Sequence, residues 1–180
     1  MTTQSIQQIF VAVLLGQLLL ASLSAQAHLM PSGKGTLNVT DTGVFLVLAL
    51  PLSAFDDSDE NGDGVTSMVE FNNHRDAIIE RIENSVWLEQ DGERLSPKHI
   101  MLSPQTAHHG NHSDADSGVT EIAVLARFPR DAKTSLPEAF GVTVYGPSAQ
   151  AIEMRASHKA MGLTSTFTVS ADAEREVISW

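Results

Sequence analysis

Oxygen-bearing side chains recur on alternate residues of one short stretch, Asp59-Glu60-Asn61-Gly62-Asp63-Gly64-Val65-Thr66-Ser67-Met68-Val69-Glu70. Asp59, Asn61 and Asp63 take positions one, three and five of twelve, Gly64 stands at position six where the chain must turn sharply, and Glu70 closes the stretch at position twelve. A hard cation such as calcium takes six to eight oxygen ligands, and carboxylates on alternate residues of a turning loop converge on one point. The chemistry expected is coordination of one calcium ion.

An upstream register beginning at Asp57 has a similar start, but it puts Met68 at position twelve, and a thioether is no calcium ligand. Asp56 and Asp57 are then bystanders that add negative potential. Ser67 and Glu70 also form S-x-x-E, a capping box that starts a helix where the loop ends. The stretch resembles the calcium loop of the EF-hand family, over about thirty residues with its flanks. That resemblance implies Ca2+ as cofactor, bound by Asp59, Asn61, Asp63, the backbone carbonyl of Val65, Ser67 directly or through a water, and both oxygens of Glu70. The flanks depart from the family. Position eight, usually a branched aliphatic that pairs with a second hand, is Thr66, and before the loop there is room for only one turn, Ser53-Ala54-Phe55-Asp56 after Pro51. The nearest start of a second loop, Asp114-Ala115-Asp116, has Leu125 where its Glu should be. The reading is a lone, shortened hand inserted in another fold.

A second cluster, Ala107 to Asp116, places His108, His109 and His112 beside Asp114 and Asp116. Imidazoles at this density suit copper, nickel or zinc. The Gly, Asn and Ser between them also make an ordinary solvated connection between strands. His28 belongs with this cluster if the chain is cut after Ala27, because a terminal amine and its own imidazole chelate one ion together; Met30 would add a soft ligand.

The elements that position these residues start after an export signal. Ile9 to Leu20 is an apolar run broken by Gln17, and Ala25-Gln26-Ala27 is a cleavage signature, so residues 1–27 read as a signal peptide. An uncleaved anchor is the alternative, since no Lys or Arg precedes the apolar run. The run is shorter than the roughly 20 residues of a spanning helix, so no stable membrane span is expected after cleavage. Residues 28–180 form one domain that keeps the whole charge of −11, against nucleic acid and anionic lipid as partners. With no Cys, disulfides, thiolate metal sites and a thiol nucleophile are excluded.

Within that domain Gly35–Thr40, a turn at Asp41-Thr42-Gly43 and the apolar run Val44–Leu50 read as a hairpin leading into a buried strand. After the loop, Met68, Phe71, Ile78, Ile79 and Ile82 recur at helical spacing to about Glu83, with Asn84 as the stop. Strands are then expected at Val86–Glu89, followed by a type I′ turn at Asp91-Gly92, and at Ile100–Leu102, Thr120–Phe128, Ala139–Tyr145, Ala151–Ala156, Thr164–Val169 and Val177–Trp180. The fold class predicted is mainly β, an antiparallel β-sandwich with an inserted single EF-hand-like loop and one amphipathic helix, the insertion spanning about residues 52–84.

Enzyme signatures are missing: there is no G-x-S-x-G and no H-E-x-x-H, and Gly33-Lys34-Gly35-Thr36 lacks the span of a phosphate loop. Taken over its length, the chain is similar to exported bacterial EF-hand domain proteins of unassigned role. More distantly it is similar to the periplasmic N-terminal region of HupE/UreJ-type membrane proteins. The expectation is a periplasmic or secreted calcium-binding domain with a structural, scaffolding or binding role toward an unidentified protein partner. The alternative is a periplasmic copper or nickel binder using His28, His108, His109 and His112.

Overall fold

The computed structural model describes residues 30–55, 58–106, 118–131, 133–147 and 149–180. The signal-peptide reading, His28 and the cluster His108, His109 and His112 lie outside those residues.

Ten strands and one α-helix make a mainly β fold of two sheets that share one apolar core. The first hairpin forms as its turn residues dictate, β1 (Lys34–Val39) pairing antiparallel with β2 (Gly43–Pro51). The apolar run makes β2 a central strand, with Val44, Leu46, Leu48 and Leu50 turned inward and 1% exposed or less. A single 3₁₀ turn at Leu52–Ala54 follows, and it leads to the Asp59–Glu70 loop and the helix α1 (Met68–Ser85). The chain then passes directly into β3 (Val86–Gln90), β4 (Glu93–Leu95), β5 (Lys98–Thr106) and β6 (Val119–Pro129). It ends with β7 (Ala139–Val142), β8 (Ala151–His158), β9 (Leu163–Ser170) and β10 (Arg175–Val177). The larger sheet has the order β5-β6-β2-β1-β8-β9 and the smaller β10-β7-β3-β4. The helix-bearing segment sits between the second and third strands, as its sequence position implied.

Several expectations shift for identifiable reasons. All pairings are antiparallel except one: β1 and β8 run parallel, Lys34 opposite Glu153 and Asn38 opposite Ser157. Asn84 does not stop α1, which runs to Ser85 and ends because Val86 turns extended while its amide still reaches the Ile82 carbonyl. Of the apolar helical positions Phe71, Ile78 and Ile82 are buried, whereas Met68 is 43% exposed at the first turn. The expected strand at Ala139–Tyr145 pairs only to Val142, because the next amide, that of Thr143, bonds the Ser85 carbonyl at the helix end. Its alternation of burial nevertheless continues to Val144, 1% exposed. The last strand is Arg175–Val177 rather than Val177–Trp180. Past Val177 the neighbouring chain is Glu138 and then Pro137, which has no amide hydrogen to extend a ladder. The tail is pinned instead through the Ile178 amide on the Glu138 carbonyl and the Trp180 indole N–H on the Pro137 carbonyl at 2.7 Å.

The Asp91-Gly92 turn has φ of 54° and 76° at its two central residues, the type I′ geometry whose twist matches a hairpin. It closes β3 and β4 with Gln90 opposite Glu93. The sheets meet where Phe140 of β7 packs edge-on against Phe167 of β9, ring centroids 6.4 Å apart. Among the described residues no helix is long and apolar enough to cross a membrane.

Tyr145, the chain's one tyrosine, reports on this packing. Its hydroxyl donates to the Val142 carbonyl at 3.1 Å, and burial first, then the nearby Glu174 charge, push its phenol up from 10.0 to about 12. An acid with a raised folded pKa binds its proton more tightly in the native state, so its contribution to stability is lost as pH rises past 10. Ultraviolet difference titration should show the native phenol ionising near pH 12 and the urea-unfolded one near pH 10. Coincident curves would show that Tyr145 is solvated.

Candidate metal-binding loop

Local chemistry shapes the loop from within. Gly62 and Gly64 adopt φ of 74° and 84°, the left-handed region that glycine enters without a Cβ clash. The backbone thus coils around the acidic side chains, and each of these accepts an amide hydrogen further along. Asp59 accepts from Gly62 through Oδ1 and from Gly64 through Oδ2, both at 2.8 Å. Asn61 Oδ1 accepts from Asp63, and Asp63 Oδ1 accepts from Val65, also at 2.8 Å. These bonds turn three oxygen-bearing side chains toward the inside of one coil.

Glu70 closes the coil from the helix. The Ser67 amide donates to its Oε2 at 2.8 Å and the Glu60 amide to its Oε1 at 3.2 Å, while Ser67 Oγ accepts the Glu70 amide. The capping box read from the sequence is therefore present in both directions. One carboxylate ties loop position two to position nine, and its residue is only 6% exposed on an otherwise exposed loop. The Ser67 amide first, then the Ser67 hydroxyl, hold the Glu70 carboxyl below its ordinary 4.5, against the opposing effect of burial. Met68, which the upstream register would put in this role, is turned to solvent.

Two further contacts fasten the loop to the domain. Glu60 lies within 3.2 Å of Asn73 Nδ2 and 3.1 Å of His74 Nε2 on α1. On the other side, the Val119 amide at the start of β6 donates to the Thr66 carbonyl at 2.8 Å. Gly118 lets the two segments approach, since a Cβ there would stand 2.3 Å from Val65 Cγ1. Sequence reading missed these positioning residues. Glu60, Asn73 and His74 carry no motif, and Gly118 and Val119 lie some fifty residues along the chain, beyond any local pattern. Ser58 Oγ and Thr66 Oγ1, 3.2 Å apart, complete the base of the loop.

The donors are all oxygens, which suits calcium and excludes a soft metal. Asp59 is half-buried, while Asn61, Asp63, Val65 and Ser67 are exposed and open to an ion. Among the described residues no three His, Asp or Glu side chains are already gathered closely enough to hold a metal. The loop is thus coiled by its own amides, and an ion must draw the carboxylates together. No protein-family model matches the chain, and no curated protein matches it.

Proposed function

We propose that residues Asp59–Glu70 bind one calcium ion in the manner of a single EF-hand-like loop, in an exported domain that serves as a binding or scaffolding module. The observation that carries this reading is Glu70. A buried carboxylate held by amides at two points of an acidic coil is placed to give both its oxygens to an ion at the coil's centre. Asp59, Asn61, Asp63, the Val65 carbonyl and Ser67 would supply the remaining ligands. Export rests on the leader-like residues 1–27, and it fits a loop meant to fill where calcium is plentiful.

The affinity expected is low. The carboxylates have to converge on binding, and there is no paired hand to pre-shape the loop, so the dissociation constant should fall near about 10⁻⁴ to 10⁻³ M, as in extracellular calcium modules. Calorimetric titration of the purified protein with calcium, magnesium, copper and nickel tests the assignment. One calcium per chain in that range, with magnesium weaker, supports it. No calcium heat up to about 10 mM, or tight one-to-one uptake of copper or nickel instead, would replace it with the transition-metal alternative.

A further inference from the structure

The two ends of the larger sheet are built differently. At one end, β5 is interrupted by two register shifts, carries Pro104 within its length, begins at Lys98 and holds His99 at a φ of 52°. Bulges, proline and an edge lysine are the devices that stop a strand from pairing further. At the other end β9, Leu163-Thr164-Ser165-Thr166-Phe167-Thr168-Val169-Ser170, has none of them: no charge, no proline, no glycine, and an unbroken eight-residue register with β8. The edge strands of the smaller sheet, β4 and β10, are three residues each.

The hydrogen-bond alternation shows which groups of β9 face outward. The Glu153 amide bonds the Gly33 carbonyl beside β1, so the odd-numbered residues of β8 turn their backbone to β1 and the even-numbered ones to β9. The register then directs the amides and carbonyls of Leu163, Ser165, Phe167 and Val169 into the β8 ladder. The Ala171 amide on the Gln150 carbonyl continues the same phase. Thr164, Thr166, Thr168 and Ser170 therefore point their backbone groups away from the sheet. The Ser170 amide is taken by the Ala173 carbonyl. The open edge runs from Thr164 to Thr168, and among the described residues no strand lies beside it.

We propose that this edge pairs with the same edge of a second copy of the chain, antiparallel across a twofold axis at Thr166. The window Thr164–Thr168 is its own complement under that axis: Thr166 meets Thr166 of the other copy, and Thr164 meets Thr168. All three pairs are of the hydrogen-bonded kind, giving about six interchain bonds. Facing threonines are favourable cross-strand neighbours, and no like charges meet although each copy carries −11. Because β5 is blunted, a copy has a single long edge to offer, so association closes at two rather than growing into a fibre. The five-residue contact is small, which makes the dimer a weak one.

Sedimentation equilibrium of the purified protein over about 5 µM to 1 mM tests this, a range suited to a small interface. A monomer–dimer equilibrium is expected. Thr166→Pro removes an outward amide while sparing the β8 ladder, and should weaken the dimer about 30-fold by deleting two central bonds. Thr166→Lys opposes two charges at the axis and should do at least as much. Amide exchange at Thr164, Thr166 and Thr168 should slow with rising concentration, while Ser165 and Phe167 stay protected throughout. A monomer at every concentration, or a dimer that both substitutions leave intact, overturns the proposal; the first result would leave the edge to an extended segment of a different protein.

Discussion

In about 2 mM calcium the protein should melt roughly 4 to 7 °C higher than in chelator. A ligand that binds only the native state adds RT ln(1 + [L]/Kd), and with a dissociation constant near 10⁻⁴ M that is about 1.8 kcal/mol. For a domain of about 150 residues it converts to the stated rise. Three variants separate the ion from the fold. Asp63→Asn keeps Oδ1 for the Val65 amide and loses only charge, so it should shrink the rise without moving the calcium-free midpoint. Glu70→Gln should abolish the rise and also lower the calcium-free midpoint. Each oxygen of the native carboxylate accepts an amide hydrogen, and the glutamine puts an NH2 group against one of them. Asp57→Asn, outside the register, should change neither. An unmoved wild-type midpoint would remove the site, and an Asp57→Asn effect as large as that of Glu70→Gln would remove the register.

Phe71→Ala should cost about 3 to 5 kcal/mol in urea unfolding, a large share of a typical domain's stability. Phe71 is fully buried one residue beyond the last loop position, and with Ile78 and Ile82 it forms the face that docks α1 on the core. Arg75 stacks over its ring at 5.1 Å and does not fill the space the ring would vacate. Val69→Ala, on the same turn but 69% exposed, should stay within about 0.5 kcal/mol. Equal effects at the two positions would mean that the helix does not dock through this face. A cost below about 1 kcal/mol for Phe71→Ala would mean that the loop is carried by its own hydrogen bonds alone.

What the sequence determined by itself is what neighbouring residues decide. Asp91-Gly92 makes its hairpin because both turn residues must take positive φ, and Ser67 with Glu70 starts the helix because a hydroxyl and a carboxylate three residues apart satisfy free amides. The coil of Asp59 to Gly64 follows from side-chain oxygens reaching amides two to five positions ahead. These interactions need no distant partner, so they are legible from types and spacing. The strand ends were less legible: Thr143 leaves its strand for the carbonyl of Ser85, and Trp180 is pinned by Pro137, a contact between residues over forty positions apart. Only the tertiary structure set β1 beside β8 in parallel, brought Val119 to Thr66, and left β9 as the one long edge without a partner. Each of those depends on which of many apolar strands shares a core face with which, and that choice is made by packing over the whole domain rather than by any local pattern.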